Sequence, residues 1–245
     1  MNYAIIAAGQ GSRLSGEGEA LPKPLVSLGG KPMIERLIGI LSGAGAESIS
    51  VIVNEQMTDV ADALRRLSAS YPIRLTVKTT GGSMESFHEL SRTLDRSKPF
   101  CLMTVDTVFR SEEFSQFIAD FEADTEADGY MAVTTYIADE KPLFVAATAE
   151  GDITGFLDNP VPDVRYISGG IYALRPGALD ILDDCAASGV SRMRDFQRAL
   201  VAAGQRLKAW PFTKIIDVDH TADLCEARRF IEELILPSPS SLTSL

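Results

Sequence analysis

The sequence predicts a single α/β domain, Rossmann-like, built around a mixed, mostly parallel central sheet. Three observations carry that expectation. Short apolar runs alternate with segments whose apolar residues recur every three or four positions, the pattern of strands leading into helices. The first run, Ala4 to Ala8, is long enough for a buried strand and too short for a core helix, and it opens directly into glycines at 9, 11 and 16. The run Phe100 to Val105 is the most continuously apolar of the early strands and ends in Asp106, as a strand covered on both faces near the middle of a parallel sheet would.

The remaining elements follow in order. Pro32 stands at a first-turn position after Gly29-Gly30-Lys31, and Met33, Leu37, Ile40 and Leu41 recur at helical spacing until Gly43 and Gly45 stop them. A second strand over 48–54 leads to a helix from Thr58, an N-cap candidate, through Leu67. After a third strand over 73–77, Thr79-Thr80-Gly81-Gly82-Ser83 opens a helix with Met84, Phe87, Leu90 and Leu94 on one face and Ser83 as its candidate cap. His88 on this helix reads as a surface or partly buried histidine. Beyond Asp106 a helix is expected over 112–121 behind Ser111, then a strand over 130–136. Runs at 144–147 and 153–156 flank Glu150-Gly151-Asp152, a hairpin turn. The strand 167–174 is interrupted by Gly169-Gly170, and glycines inside a strand often mark close approach by a ligand. Helices from Arg175-Pro176 to Leu182 and from a Ser191 cap to Gly204 precede strands over 207–212 and 215–219. The closing helix runs to about Leu236, and the patternless residues 237–245 are expected to form a mobile tail.

At 245 residues, 45% hydrophobic and 23% charged, the chain can bury one large core. No apolar run reaches the ~20 residues of a membrane helix, and no basic stretch followed by a long apolar segment opens the chain. Cys101, Cys185 and Cys225 are odd in number and widely spaced, which fits reduced thiols and a cytoplasmic location. The net charge of −11 argues against nucleic acid as a partner, because no basic patch of the needed size is present. A triphosphate is still compatible with it. The Debye length is only ~8 Å at physiological salt, so nearby cations and a bound metal outweigh the global field.

Those cations are visible. Arg13 lies between the glycines, and Lys23 is held between Pro22 and Pro24. Glycines after a strand let backbone N–H groups turn towards an anion, so a Gly-rich turn with a fixed Arg and Lys suits a triphosphate. Two familiar phosphate loops are excluded. The dinucleotide fingerprint needs glycine where Leu14 stands and an acidic residue where Asn54 stands, and no Gly-Lys-Ser/Thr loop occurs.

Ala7-Ala8-Gly9-Gln10-Gly11-Ser12-Arg13-Leu14, followed by Pro22-Lys23-Pro24-Leu25, resembles the split signature of the nucleotidyltransferase superfamily, of the sugar-1-phosphate nucleotidyltransferase or MobA-like type. The resemblance extends over about residues 4–227. It implies a nucleotide-diphospho-sugar transferase fold, with a nucleotide-binding half over about 1–110, an acceptor region over 111–213, and a closing strand and helix over 214–236. Asp106 matches the family's first metal-binding aspartate. Asp217, in Asp217-Val218-Asp219-His220-Thr221-Ala222-Asp223-Leu224, falls on the second position of a closing motif, although His220-Thr221 replaces the usual Thr-Pro. Asp223 reads as a first-turn residue favoured by the helix dipole.

The resemblance implies Mg²⁺ on Asp106 and Asp217, catalytic roles for Arg13 and Lys23, and a nucleotide grip by Ala7, Ala8, Gly9, Gly11 and Ser12. Gly82 and Ser83 are candidates for the nucleobase as well as for a helix start. The implied substrates are a nucleoside triphosphate and a small phosphorylated acceptor, foremost a sugar 1-phosphate, met by Gly169 and Gly170. The family's usual Glu-Lys-Pro is Asp158-Asn159-Pro160 here, without the lysine that meets the acceptor phosphate, and Glu140-Lys141-Pro142 precedes the hairpin and is no match. Arg192, Arg194 and Arg198 read first as a solvated face, with Arg194 the candidate replacement. Three alternatives stay open: a cytidylyltransferase for phosphocholine, a GT-A-like glycosyltransferase using Asp217-Val218-Asp219 as an Asp-x-Asp motif, and a non-catalytic nucleotide-binding protein.

Overall fold

The computed structural model describes residues 1–9, 11–137 and 141–235; the expected tail over 237–245 and Glu140 lie outside them. Among the described residues thirteen strands are present: β1 (Asn2–Ala7), β2 (Ser27–Leu28), β3 (Lys31–Pro32), β4 (Ser48–Val53), β5 (Ile73–Val77), β6 (Phe100–Thr104), β7 (Thr107–Val108), β8 (Gly129–Thr134), β9 (Phe144–Ala147), β10 (Ile153–Leu157), β11 (Tyr166–Leu174), β12 (Leu207–Pro211) and β13 (Ile216–Asp217). Eight α-helices are interleaved among the same residues: α1 (Ser12–Gly16), α2 (Met33–Gly43), α3 (Thr58–Leu67), α4 (Ser83–Ser91), α5 (Ser111–Ala123), α6 (Ala178–Ala187), α7 (Met193–Ala202) and α8 (Thr221–Ile235). No described helix is long and apolar enough to cross a membrane.

One nine-stranded mixed sheet organises the chain. Strands β6, β1, β4 and β5 run parallel in that order, and β12 is parallel to β8. Strand β11 reverses direction against β6, β8 and β9. The period of two along a strand sends alternate side chains to opposite faces, and β1 divides accordingly. Tyr3, Ile5 and Ala7 enter the core that includes residues of α2, α3 and α5. Ala4 and Ile6 enter the core that includes residues of α4, α6 and α7. Both faces of the early strands are therefore covered, which is why those runs are continuously apolar.

A third, smaller cluster fastens the ligand end of the sheet. It joins Leu14 of α1, Leu28, Met33, Val108, Ile216 and Val218 to Leu224 and Phe230 of α8. An isolated five-residue helix would not persist in water. Leu14 is 1% exposed, and burying such a side chain contributes roughly 2 kcal/mol, so α1 is held by packing.

The helix expected over 175–182 is Ala178–Ala187, the short strands β2, β3 and β7 were not expected, and two further differences have a physical reason. The strand expected over 215–219 is only Ile216–Asp217, because the chain leaves the main sheet there and pairs with β7. Thr58, Ser83, Ser111 and Ser191 donate or accept no side-chain cap bond; Met57, Gly82, Arg110 and Arg192 are the flanking residues. Acidic residues in the first turns, Asp59, Glu85, Glu112 and Asp195 among them, meet the helix dipole instead. At α4 the compensation is direct, since Glu85 Oε2 accepts the Gly81 N–H at 2.6 Å.

Candidate active site

The β1–α1 turn sits at the carboxyl end of β1, where open α/β sheets take ligands. Gly11 supplies its left-handed residue at φ 61°. A Cβ at Gly11 would stand 3.0 Å from Lys23 Cβ, so glycine is also what lets the Pro-Lys-Pro segment close over the turn. Ala7 is buried at the strand end, Ala8 is half-buried, and Gly9 and Ser12 are exposed.

Lys23 is buried beneath this turn, at 7% exposure. Its ammonium donates to Asp106 Oδ2 at 2.6 Å and to Asp219 Oδ1 at 2.7 Å. Arg13 donates to the other oxygen of Asp219 at 2.5 Å. Burial alone would lower the lysine's pKa, but Asp106 and then Asp219 outweigh it and raise it, so the amine is fixed as a cation. Burial would likewise raise Asp106, and the Lys23 charge reverses this and holds the carboxyl below its usual range.

Asp217 arrives from far along the chain. The β13–β7 pairing sets it in register with Thr107, and the Val218 N–H donates to the Asp106 carbonyl at 3.1 Å. The negative charge of Asp106 raises the Asp217 pKa well above the ordinary carboxylate value, helped by enclosure in the cleft and by Asp219. Three carboxylates thus face two cations. Asp106 Oδ1 is buried with no hydrogen-bond partner among the described residues.

The nearby loop is tied down by Glu17. It accepts from Thr221 N–H and Oγ1 at 2.7 and 2.8 Å, and pairs with His220 Nδ1 at 2.6 Å. The His220 bond and then the two from Thr221 hold the Glu17 carboxyl down to about 2. Asp223 accepts the N–H groups of Asp219 and His220, at 3.1 and 2.7 Å, which caps α8 as its first-turn position suggests.

Beside the cluster opens a cleft of about 360 Å³. Of the residues expected at the site, Arg13, Ser83, Gly169, Gly170, Arg194 and Asp217 line it. Lys23 and Asp106 lie behind Asp219, which lines it too. Gly82 has an ordinary extended backbone, and a Cβ there would stand 3.3 Å from the Ser191 carbonyl. The register of β11 against β8 shifts between Ser168 and Tyr172, and Gly169-Gly170 form that irregularity. A Cβ on Gly169 would lie 2.2 Å from Ile215 Cδ1 and 3.2 Å from the Ala132 carbonyl, so any larger residue there requires Ile215 to move. Gly170 takes the left-handed φ of 73° that favours glycine.

Arg194 is not on a free solvated face. It donates to Asp158 Oδ1 at 2.6 Å and to the Lys141 carbonyl at 3.1 Å, while Arg198 meets Asp158 Oδ2 at 2.8 Å. Asp158, in the Asp-Asn-Pro that lacks a lysine, is the anchor of two arginines. Arg192 instead pairs locally with Asp195. Lys141 also lines the cleft. Sequence reasoning missed Asp219 as the partner of both cations, and it missed Ser168, Tyr172 and Gln197 in the cleft wall; mid-strand and mid-helix polar residues carry no local signal of facing a ligand.

A family model described as "Nucleotidyl transferase" matches residues 3–233. The chain is 30% identical over 190 residues to a mannose-1-phosphate guanyltransferase of Schizosaccharomyces pombe, covering 75% of this chain and 52% of that protein. It is 24% identical over 216 residues to a glucose-1-phosphate cytidylyltransferase of Salmonella typhimurium, covering 77% and 80%. The chain spans about half the length of the first of these curated relatives. Among solved structures, the inositol-1-phosphate CTP transferase from T. maritima superposes with a TM-score of 0.78 at 18% identity, over 95% of this chain and 96% of that one, a likeness of fold.

Proposed function

Because the chain belongs to the nucleotidyl transferase family, we propose that it moves a nucleoside monophosphate from a nucleoside triphosphate onto the phosphate of a sugar 1-phosphate, releasing pyrophosphate. The observation that carries the reading is the β13–β7 pairing, which sets Asp217 close enough to Asp106 for the Asp106 charge to raise the Asp217 pKa.

Asp106 and Asp217 would hold Mg²⁺. The donor set is all oxygen, carboxylates outnumber cations in the cluster, and Asp106 Oδ1 is a buried acceptor with no bond among the described residues, which suits a hard cation that takes one or two carboxylates plus phosphate oxygens. When bound, the ion supplies charge neutralisation at the phosphate oxygens. Arg13, leaving Asp219, donates to the terminal phosphates and stabilises the pyrophosphate as the α–β bridging P–O bond breaks and its electron pair departs. Lys23 keeps a fixed positive charge near the α-phosphate. An oxygen of the acceptor phosphate forms the new P–O bond from the opposite side. That group is already an anion at neutral pH, so no general base is needed.

Ala7, Ala8, Gly9, Gly11 and Ser12 cradle the triphosphate, and Gly82 and Ser83 border the base. Arg194, steadied by Asp158, takes the acceptor phosphate in place of the absent lysine, with Gly169 and Gly170 leaving room beside it. The glycosyltransferase alternative loses support here, because Asp219 of the Asp-x-Asp is committed to Lys23 and Arg13. The test is a pyrophosphate-release screen over all nucleoside triphosphates against sugar 1-phosphates, inositol 1-phosphate and phosphocholine, with Mg²⁺ or EDTA. Metal-dependent pyrophosphate with a sugar 1-phosphate is expected. Free nucleoside diphosphate, or no product with any pair, would overturn the proposal.

A further inference from the structure

Asp219 meets both cations of the proposed phosphate site, one with each oxygen. Its Oδ1 accepts from the Lys23 ammonium at 2.7 Å and its Oδ2 from Arg13 Nη1 at 2.5 Å. The two bonds lie in different surroundings. The Lys23 side chain is 8% exposed and the Arg13 side chain 53%. The first bond is enclosed, and the second stands in the open cleft that Arg13 and Asp219 both line.

The backbone on each side of the open bond is fixed by other contacts. Next to Asp219, the Val218 N–H donates to the Asp106 carbonyl at 3.1 Å, and the N–H groups of Asp219 and His220 donate to Asp223 Oδ2 at 3.1 and 2.7 Å. Helix α1 is packed down by Leu14. At its C-terminal end Glu17 accepts from Thr221 N–H and Oγ1 and pairs with His220. An exposed ion pair between two backbones already in place adds little to stability. Its consequence is local: it keeps a guanidinium on a carboxylate at the point where phosphates would meet it.

The two cations answer an incoming triphosphate differently. An ammonium has three donors. Asp106 and Asp219 take two of those on Lys23, so the third can serve a phosphate while Asp219 Oδ1 stays where it is. Arg13 also has further N–H groups, but an anion on them stands beside the Asp219 charge. A phosphate therefore has the full charge of Arg13 only once Asp219 releases it.

We infer that Asp219 is a positioning residue that withholds Arg13 from the bound nucleotide and yields it as charge builds on the departing pyrophosphate. An interaction made equally before and during reaction lowers KM without raising kcat. A carboxylate that competes for the arginine removes that part of the binding and leaves the part made in the transition state. The inference rests on the transferase reading above.

The experiment uses the full-length protein, with Asp219→Asn, which keeps an oxygen for Lys23 but removes the charge that holds Arg13, and Asp219→Ala, which removes both. Each is also made in an Arg13→Ala background, and melting temperatures establish that every variant is folded. Calorimetry measures the affinity for α,β-methylene analogues of the nucleoside triphosphates, in EDTA and in Mg²⁺. On the analogue that wild type binds best, Asp219→Asn tightens binding in EDTA roughly 3- to 10-fold, the scale of an exposed ion pair no longer broken and a like charge removed. Without Arg13 the same substitution gains roughly two- to fivefold less, the share of the ion pair alone. In pyrophosphate release, Asp219→Asn lowers the nucleotide KM and does not raise kcat, whereas Asp219→Ala also lowers kcat because Lys23 has lost an acceptor that aims it. No tightening in either folded variant would overturn the inference, and so would an equal gain with and without Arg13. An Asp219→Asn protein whose nucleotide binding no longer responds to Mg²⁺ would overturn it too, by making Asp219 a metal ligand. These outcomes leave pyrophosphate release by the wild type intact. A wild type that releases none with any pair fails differently, removing the transferase reading and the role of Asp219 with it.

Discussion

The two sides of the cleft are built from different materials. The proposed nucleotide side is a contiguous turn, residues 7–25, whose cations are engaged by Asp106 and Asp219. The proposed acceptor side is gathered from β8, β11, α7 and the segment before β9, and its arginine is engaged by Asp158. In both, a carboxylate holds a cation in the place a phosphate would claim. Enclosure sets Lys23 apart: its side chain is 8% exposed, against 28% for Arg194 and 53% for Arg13. Charge is worth more where water is excluded, so the chemistry should depend steeply on the enclosed carboxylates around Lys23 and more gently on the two open arginines.

The largest effect should come from the carboxylate pair. Asp106→Asn or Asp217→Asn is expected to lower Mg²⁺-dependent pyrophosphate release on the order of a thousandfold, the several kcal/mol that metal-assisted charge neutralisation supplies. The double variant should lose little more than either single one, because the pair acts as a unit. Full activity of Asp217→Asn with Mg²⁺, or losses that multiply, would transfer the second position to Asp219.

Next in size is Arg13→Lys. A point charge cannot replace a planar fork, so kcat should fall roughly 10- to 100-fold while nucleotide affinity, measured by calorimetry, changes little. Turnover equal to wild type would remove Arg13 from the leaving-group role. The matching change on the other side is gentler. Arg194→Ala should raise the acceptor KM roughly tenfold, the scale of one charge-assisted contact near solvent, without moving the nucleotide KM. If the nucleotide KM moved and the acceptor KM did not, the two sides would have been assigned in reverse.

The same contrast explains what the sequence disclosed. Strands β6, β1 and β4 were legible because each is covered on both faces and carries its own apolar run, and edge strand β5 because its side chains alternate. The turn from Ala7 to Lys23 was legible because its backbone shape needs glycine and proline at fixed positions. Asp106 was legible from its place at a strand end. The partnership of Lys23 with Asp219 was not, since 196 positions separate them and only the β13–β7 pairing brings them together. Arg194 could be named as a candidate, but its anchor Asp158 lies 36 positions away, beyond β11 and α6. The helix caps failed for a simpler reason: Thr58, Ser83, Ser111 and Ser191 each stand one position away from the flanking residue, and at α4 Glu85 takes the N–H of Gly81 instead.

The smallest effect separates the two aspartates themselves. Asp217 has a pKa raised by the Asp106 charge, so at neutral pH its ionised form opposes folding. The stability this group allows is fully present below the ordinary carboxylate pKa and is lost as pH rises through the raised value. Asp217→Asn removes the repulsion and should raise the melting temperature of the metal-free protein at pH 7. Asp217 is open to the cleft, and screening there limits the gain to about 1 kcal/mol, or roughly 2–4 °C for a chain of this size. The gain should shrink as pH falls through the raised value, because wild-type Asp217 then takes up a proton and ceases to repel. Asp106 has the opposite sign. Lys23 holds its pKa down, so it contributes stability above the ordinary carboxylate range that fades only as pH falls below it. Asp106→Asn should therefore lower the melting temperature at pH 7, leaving the Lys23 ammonium with Asp219 as its remaining carboxylate. Equal shifts of the same sign in the two variants, measured by calorimetry in EDTA between pH 5 and pH 8, would mean that the carboxylates share their charge evenly and that Lys23 does not favour one of them.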